Sequence, residues 1–158
     1  CSQAISVCGT VSQQWDRQDK CESFCATLPL GTAGATAGDS IACRMHYAQL
    51  AVSTGEPQSY CGIIGPEGSQ ASTPAASCGT PCDAYCRALE QICTTQFTMQ
   101  FPSQADCAMA CTTVTANKNY DVSIKSGNTL ECRLYHLTAA TIDPTTHCPH
   151  AFGASPCN

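Results

Sequence analysis

The sequence predicts a mainly α-helical protein, built as two tandem small disulfide-stapled helical units with long irregular loops. Three observations carry that prediction. Fifteen cysteines in 158 residues mark a disulfide scaffold. The same cysteine spacing runs through the chain twice. Apolar residues recur at helical spacing, and strand-like alternation is weak throughout. Ile, Leu, Val and Phe number 23, about 15% of the chain and below the roughly 20% at which a packed core becomes doubtful. Cross-links are therefore expected to stand in for burial. Charged residues are only 12%, which is not the signature of a disordered chain.

The repeat fixes the units. Cys1 and Cys8 are spaced as Cys86 and Cys93 are, and Cys21 and Cys25 as Cys107 and Cys111. A shared heptad follows in each half, ending in Cys43-Arg44 and in Cys132-Arg133. Cys61 then matches Cys148, and Cys78 matches Cys157. The boundary falls near Cys78, giving a first unit of residues 1–78 and a second of 79–158. Residues 65–76 are rich in Gly, Pro and Ser and read as a linker or long loop. Cys82 has no counterpart, so the first unit is expected to be N-terminally incomplete.

Each element has a local cause. Cys82, Cys86, Leu89 and Cys93 at helical spacing predict a helix over 82–94. Ser103 as N-cap with Asp106 in the first turn predicts a second over 103–114. Asn128 or Thr129 caps a third through Cys132, Leu134 and Leu137, ending before Pro144. The first half offers the same three segments near 2–9, 20–28 and 39–53, with Pro29, Gly31 and Gly34 ending the second of them.

Two helices carrying CxxxC place their cysteines one turn apart on one face. An antiparallel hairpin then pairs Cys82 with Cys111 and Cys86 with Cys107. The same geometry pairs Cys1 with Cys21 and leaves Cys25 unpaired. Cys8–Cys43, Cys93–Cys132, Cys61–Cys78 and Cys148–Cys157 complete the expected set. The odd cysteine has three readings: a partner lost by trimming, a lipid anchor on Cys1, or an intermolecular disulfide.

Bulk properties exclude several classes. The net charge is −5 and no Lys/Arg run exists, so no nucleic-acid surface is expected. No apolar stretch approaches the roughly 18 residues of a membrane span. So many cysteines call for an oxidising compartment, and the chain reads as a mature extracellular or cell-surface form whose export signal has been removed. Ser and Thr number 32, a surface suited to O-linked sugars and hence to a glycoprotein. No Asn-x-Ser/Thr sequon occurs.

Chemistry is sparse. GxSxG, HExxH, P-loop, EF-hand and dinucleotide motifs are absent, and the expectation is a non-enzyme without a catalytic residue. Asp83, Glu90, Asp106 and Glu131 read as solvated helix faces. Trp15, Tyr60, Tyr85 and Tyr120 read as core under the disulfides. Arg44 and Arg133 are expected to fork onto loop carbonyls or acids. His136, His147 and His150 are the candidate metal ligands, because imidazoles bind Zn²⁺, Cu²⁺ or haem iron. The matching first-half positions are Tyr47, Tyr60 and Ile63, so the fold does not need a metal there, and packing or helix capping is the default role. CxxCH is absent, so covalent c-type haem is not indicated.

The residues Cys82-x-x-Tyr85-Cys86, Cys132-Arg133-x-x-His136, His147-Cys148-x-His150-Ala151 and Gly153-x-x-x-Cys157 resemble cysteine-rich repeats of predicted secreted proteins and lipoproteins of myxobacteria and related environmental bacteria. The resemblance implies location rather than mechanism. The first half departs from it by losing the His-Cys-x-His element. The leading expectation is a structural subunit of an extracellular or cell-surface assembly, such as a filament, appendage or surface layer. Its partner is a second copy or another cell-surface protein, and no cofactor is needed. The alternatives are an electron-transfer accessory protein holding a metal ion or haem, and a small carbohydrate-binding or adhesive module.

Overall fold

The computed structural model describes residues 1–69, 77–116 and 119–158. Among them the chain forms α1 (Ser2–Cys8), α2 (Gln18–Cys25), α3 (Ile41–Thr54), α4 (Pro57–Ile64), α5 (Pro81–Ile92), α6 (Thr94–Gln100), α7 (Gln104–Cys111), α8 (Leu130–Ala140) and α9 (Pro144–Ala151). No strand forms among the described residues; Thr115 and Thr129 make an isolated bridge. By the cysteine alignment α1 corresponds to α5, α2 to α7, α3 to α8 and α4 to α9. The short helix α6 has no counterpart.

Hydroxyl caps start the helices. Ser40 accepts from the Cys43 N–H, Thr129 from Cys132, Ser103 from Asp106 and Thr80 from Asp83. Each satisfies an amide that has no partner within its helix. Two helices open on proline instead. Pro57 and Pro144 occupy the first turns of α4 and α9, where a missing N–H costs nothing. Pro144 was expected only to end a helix. Instead α8 stops at Ala140 and Pro144 begins the next helix, with Asp143 as its cap.

Those two helices also redirect four disulfides. Cys1–Cys21, Cys82–Cys111 and Cys86–Cys107 join facing helices, outer to outer and inner to inner. The remaining bonds are Cys8–Cys61, Cys43–Cys78, Cys93–Cys148 and Cys132–Cys157, in place of the expected Cys8–Cys43, Cys61–Cys78, Cys93–Cys132 and Cys148–Cys157. The cause is local. α4 and α9 fold back against α1 and α5, which brings Cys61 to Cys8 and Cys148 to Cys93. The segment after each helix then returns to Cys43 or Cys132. Cys25 stays a free thiol. Cys1, where a lipid anchor was one of three readings, has its sulfur in the bond to Cys21, the same atom that a thioether-linked lipid would use.

One buried cluster runs through both copies, from Cys8, Trp15 and Phe24 to Leu89, Phe97, Leu134 and Leu137. Trp15, Tyr85 and Tyr120 belong to it, and Tyr60 packs on it half-buried. The copies are also stitched by polar bonds. Gln14 Nε2 donates to the Tyr120 carbonyl at 2.9 Å, Val122 N to the Gln13 carbonyl at 2.9 Å, and Tyr120 N to the Glu67 carboxylate at 3.0 Å. Arg87 of α5 pairs with Asp39, which also takes Arg44 Nη1 at 2.6 Å.

Two readings change here for one reason, which is that the copies share surface: residues 65–69 are the loop alternative rather than a linker, and Glu131 is buried. Residues 65–69 do not form a free linker but are buried, Pro66 completely and Glu67 to 6% exposure. Residues 70–76, the rest of that stretch, lie outside the described residues. Glu131 does not sit on a solvated face but is 2% exposed. Burial pushes the Glu67 carboxyl up to about 7, opposed by its bond from the Tyr120 N–H and reinforced by Glu131 nearby.

Candidate metal centre

α8 and α9 form an antiparallel pair, and the chemistry gathers in the cleft between them. His136 lies on α8, four residues after Cys132. His147 and His150 lie on α9, three residues apart and so on one face. The Cys132–Cys157 bond closes beneath them, with its sulfurs and a His136 ring nitrogen within 4.8 Å of one another.

The three imidazoles point inward. His136 Nδ1 lies 2.9 Å from His147 Nδ1 and 3.3 Å from His150 Nδ1. The ring centroids stand 4.7 to 5.7 Å apart. His136 Nε2 is 3.2 Å from the Lys125 carbonyl, an acceptor only, so that nitrogen carries the proton and Nδ1 presents its lone pair. This is how a metal-binding imidazole is oriented by a second partner. Zinc–nitrogen bonds of about 2.0–2.1 Å put tetrahedral donors about 3.3 Å apart, close to the spacing here. Two nitrogens on opposite faces of a haem iron would stand about two such bonds, or 4 Å, apart. The 2.9 Å pair does not fit that arrangement.

The electrostatics favour neutral rings. Burial, with smaller contributions from the other histidines and Lys20, holds His136 below the ordinary imidazole range; burial, His150 and Lys20 do the same at His147. Neutral imidazole is the ligating form. Two ammonium groups flank the cleft. Lys20 and Lys125 each lie over the Tyr135 ring, at 5.1 and 5.0 Å from its centroid. Lys20, from α2 of the first copy, is itself paired with Asp16 at 2.9 Å.

The structure thus brings together all three sequence-predicted histidines. His46 lies elsewhere, on α3. Sequence reasoning missed Lys20, Lys125 and Tyr135. Nothing in the sequence signals Lys20, because it arrives from the other copy. The convergence of His147 with His150 was signalled by Pro144 at N1, which places both on one helical face.

The same positions in the first copy hold no imidazole. Tyr47 and Tyr60 rings lie 6.0 Å apart, and Ile63 is fully buried against Cys43–Cys78. The arginines that follow Cys43 and Cys132 behave alike in the two copies. Arg44 donates to the Gly65 carbonyl and Asp39, and Arg133 donates to Asn128. Each guanidinium lies against a positive-φ glycine, Gly68 or Gly153, where a side chain would both clash and be strained.

Four helices and three disulfides repeat in register, and residues 1–76 and 80–155 each match the BfoA family C-terminal domain. The chain belongs to the BfoA family. Its two BfoA-type domains stand in tandem, and the histidine cleft belongs to the second alone. No curated protein and no solved structure matches the chain.

Proposed function

We propose that this tandem BfoA-type protein is an extracellular metal-binding module that holds Cu²⁺ or Zn²⁺ on His136, His147 and His150. The observation that carries the reading is the convergence of three imidazoles, one ring nitrogen of each within 4.8 Å of the others, where the first copy packs Tyr47, Tyr60 and Ile63. A structural role would be served by those packing residues. His136 Nδ1 presents a lone pair, which an N–H of His147 or His150 or a cation can meet. Imidazole sites suit Cu²⁺ and Zn²⁺ among the common divalent ions. Three ligands leave a fourth position for water or a partner's donor. The location rests on the seven disulfides, which an oxidising compartment maintains, and on the absence of any described helix able to cross a membrane.

The test is equilibrium dialysis against Cu²⁺ and Zn²⁺ followed by elemental analysis. One equivalent retained per chain is expected, with affinity at least 100-fold weaker in His136→Ala and His147→Ala. A chain that retains neither metal sinks the reading. Nitrogen superhyperfine splitting in the Cu²⁺ spin-resonance spectrum identifies imidazole ligation directly.

A second reading, a subunit of a filament, appendage or surface layer, is favoured by Leu30 and Met45. These side chains are 76% and 56% exposed and line one shallow apolar depression. Concentration-dependent assembly under electron microscopy supports it, and a monodisperse monomer at high concentration rejects it.

A further inference from the structure

Arg133 is a cation without an acid. In the first copy Asp39 takes Arg44 Nη1 at 2.6 Å and also pairs with Arg87. The shared heptad puts Asn128 where the first copy has Asp39. Arg133 Nη2 therefore donates to a neutral amide oxygen, Asn128 Oδ1, at 3.1 Å. Its other polar neighbour is the Tyr85 phenol, neutral as well, which gives its own proton to the Ala151 carbonyl at 2.7 Å. Among the described residues no carboxylate pairs with Arg133. A half-buried guanidinium without a counter-ion attracts anions.

Arg133 is also part of the wall of a cavity of about 200 Å³, with Tyr85, Gln100, Phe101, Thr113 and Phe152 among the other lining residues. Gln100 ends α6 and Phe101 follows it, so two of these residues come from the element that the first copy lacks. The Phe101 and Phe152 rings are nearly parallel, with 6.2 Å between centroids. A guest ring between them would need about 7 Å, twice a carbon–carbon contact of about 3.5 Å, so the two rings offer a shared apolar surface rather than a slot. Gln100 and Thr113 are exposed and bring an amide and a hydroxyl to the mouth, groups that both donate and accept.

These features select a guest. A cavity of about 150 Å³ holds benzene, so this one takes a single six-membered ring with a small substituent. A flat aromatic acid would use the rings and the cation and leave Gln100 and Thr113 idle. A pyranose carrying a carboxylate uses all of them. One face of such a ring is C–H and packs on aromatic carbon, its hydroxyls exchange hydrogen bonds with neutral polar groups, and its carboxylate matches the guanidinium fork. We propose that this cavity binds an acidic sugar, with its C–H face on Phe101 and Phe152, its carboxylate at Arg133 and its hydroxyls at Gln100 and Thr113. The proposal does not draw on the histidine cleft.

The test titrates the isotope-labelled full chain with sodium D-glucuronate and follows the Arg133 Nε–H and backbone amide resonances. A chelator in the buffer keeps metal off the histidines. Saturable shifts around Arg133 and Phe101 are expected, and D-glucose at the same concentrations is expected not to saturate them. Asn128→Asp gives Arg133 the acid that Arg44 has, a pair the first copy already accommodates. It is expected to keep a dispersed spectrum and to weaken glucuronate binding about tenfold. Phe101→Ala removes half of the ring surface and is expected to weaken it by a similar factor. Equal response to glucose and glucuronate, saturation by neither, or undiminished affinity in Asn128→Asp each overturns the proposal. Saturation by phenylacetate without saturation by glucuronate also overturns it and makes the guest a simple aromatic acid.

Discussion

Over Cys43–Cys78 the first copy closes Tyr47, Tyr60 and Ile63; over Cys132–Cys157 the second places His136, His147 and His150. The backbone around both is the same hairpin of helices held by the same bonds. The first copy shows that this position is filled well by apolar and aromatic groups. The second copy exchanges that packing for three imidazoles on the same frame. What separates a packed corner from a histidine cleft is three side chains on a shared frame.

The largest effect expected from breaking the comparison is at the disulfides that hold α4 and α9. Removing Cys93–Cys148 by C93A/C148A opens a loop with a sequence separation of 55 and is expected to cost about 4 kcal/mol. It also frees the helix segment carrying His147 and His150, so metal retention is lost. The matching C8A/C61A, with a separation of 53, costs a similar amount and leaves metal retention intact. Chemical denaturation with parallel dialysis reads both, and equal metal loss in the two variants would detach the cleft from α9.

Placing histidines in the first copy comes next. Ile63→His in the fully buried corner is expected to cost about 3 kcal/mol, from lost apolar burial and an imidazole without an assured partner. Denaturation midpoints measure it, and a neutral result would mean that the corner is open to water.

Glu67 has an effect of comparable size that depends on pH. Its carboxyl is raised to about 7 in the fold from an unfolded value near 4.5. The folded state then holds its proton more tightly than the unfolded chain does. Stability falls as pH rises from about 4.5 to about 7 and is level above that, by about 3 kcal/mol in all. Glu67→Gln keeps an acceptor for the Tyr120 N–H and removes the charge. It is expected to flatten that slope and to match the parent at pH 4, with the gain appearing at pH 8. Melting curves across this range check the prediction; an unchanged slope rejects it.

The smallest effect sharpens the comparison most. H136Y/H147Y/H150I installs the first copy's residues in the second. Without metal, stability is expected to stay within about 1 kcal/mol of the parent, while metal retention disappears. A loss of several kcal/mol would return the histidines to a structural role.

Much of this was legible from spacing. The repeat, the CxxxC hairpins with their three bonds, the caps at Ser103 and Thr129, and the residue types of the cleft all follow from local pattern. Other features are set by packing at a distance. Pro144 reads equally well as a stop and as a start, and choosing the stop hid α9 and misassigned four disulfides. Residues 65–69 carry loop-type composition, yet they lie between the copies, where Gln14 and Tyr120 enclose them. Glu131 sits at a helical position that would be solvated in an isolated unit and is buried because the units are not isolated. The nitrogens of His136, His147 and His150 converge only once α9 folds back on α8.

The map of the disulfides has a mechanical consequence. Three bonds close loops within residues 1–78 and four within residues 82–157, and the loops overlap in each set. A single peptide cleavage inside either span releases no fragment until reductant is added. The backbone between Cys78 and Cys82 is the one covalent thread between the copies. Under tension from both ends, the shared core separates at that thread, while the disulfides hold each copy well short of its full contour length.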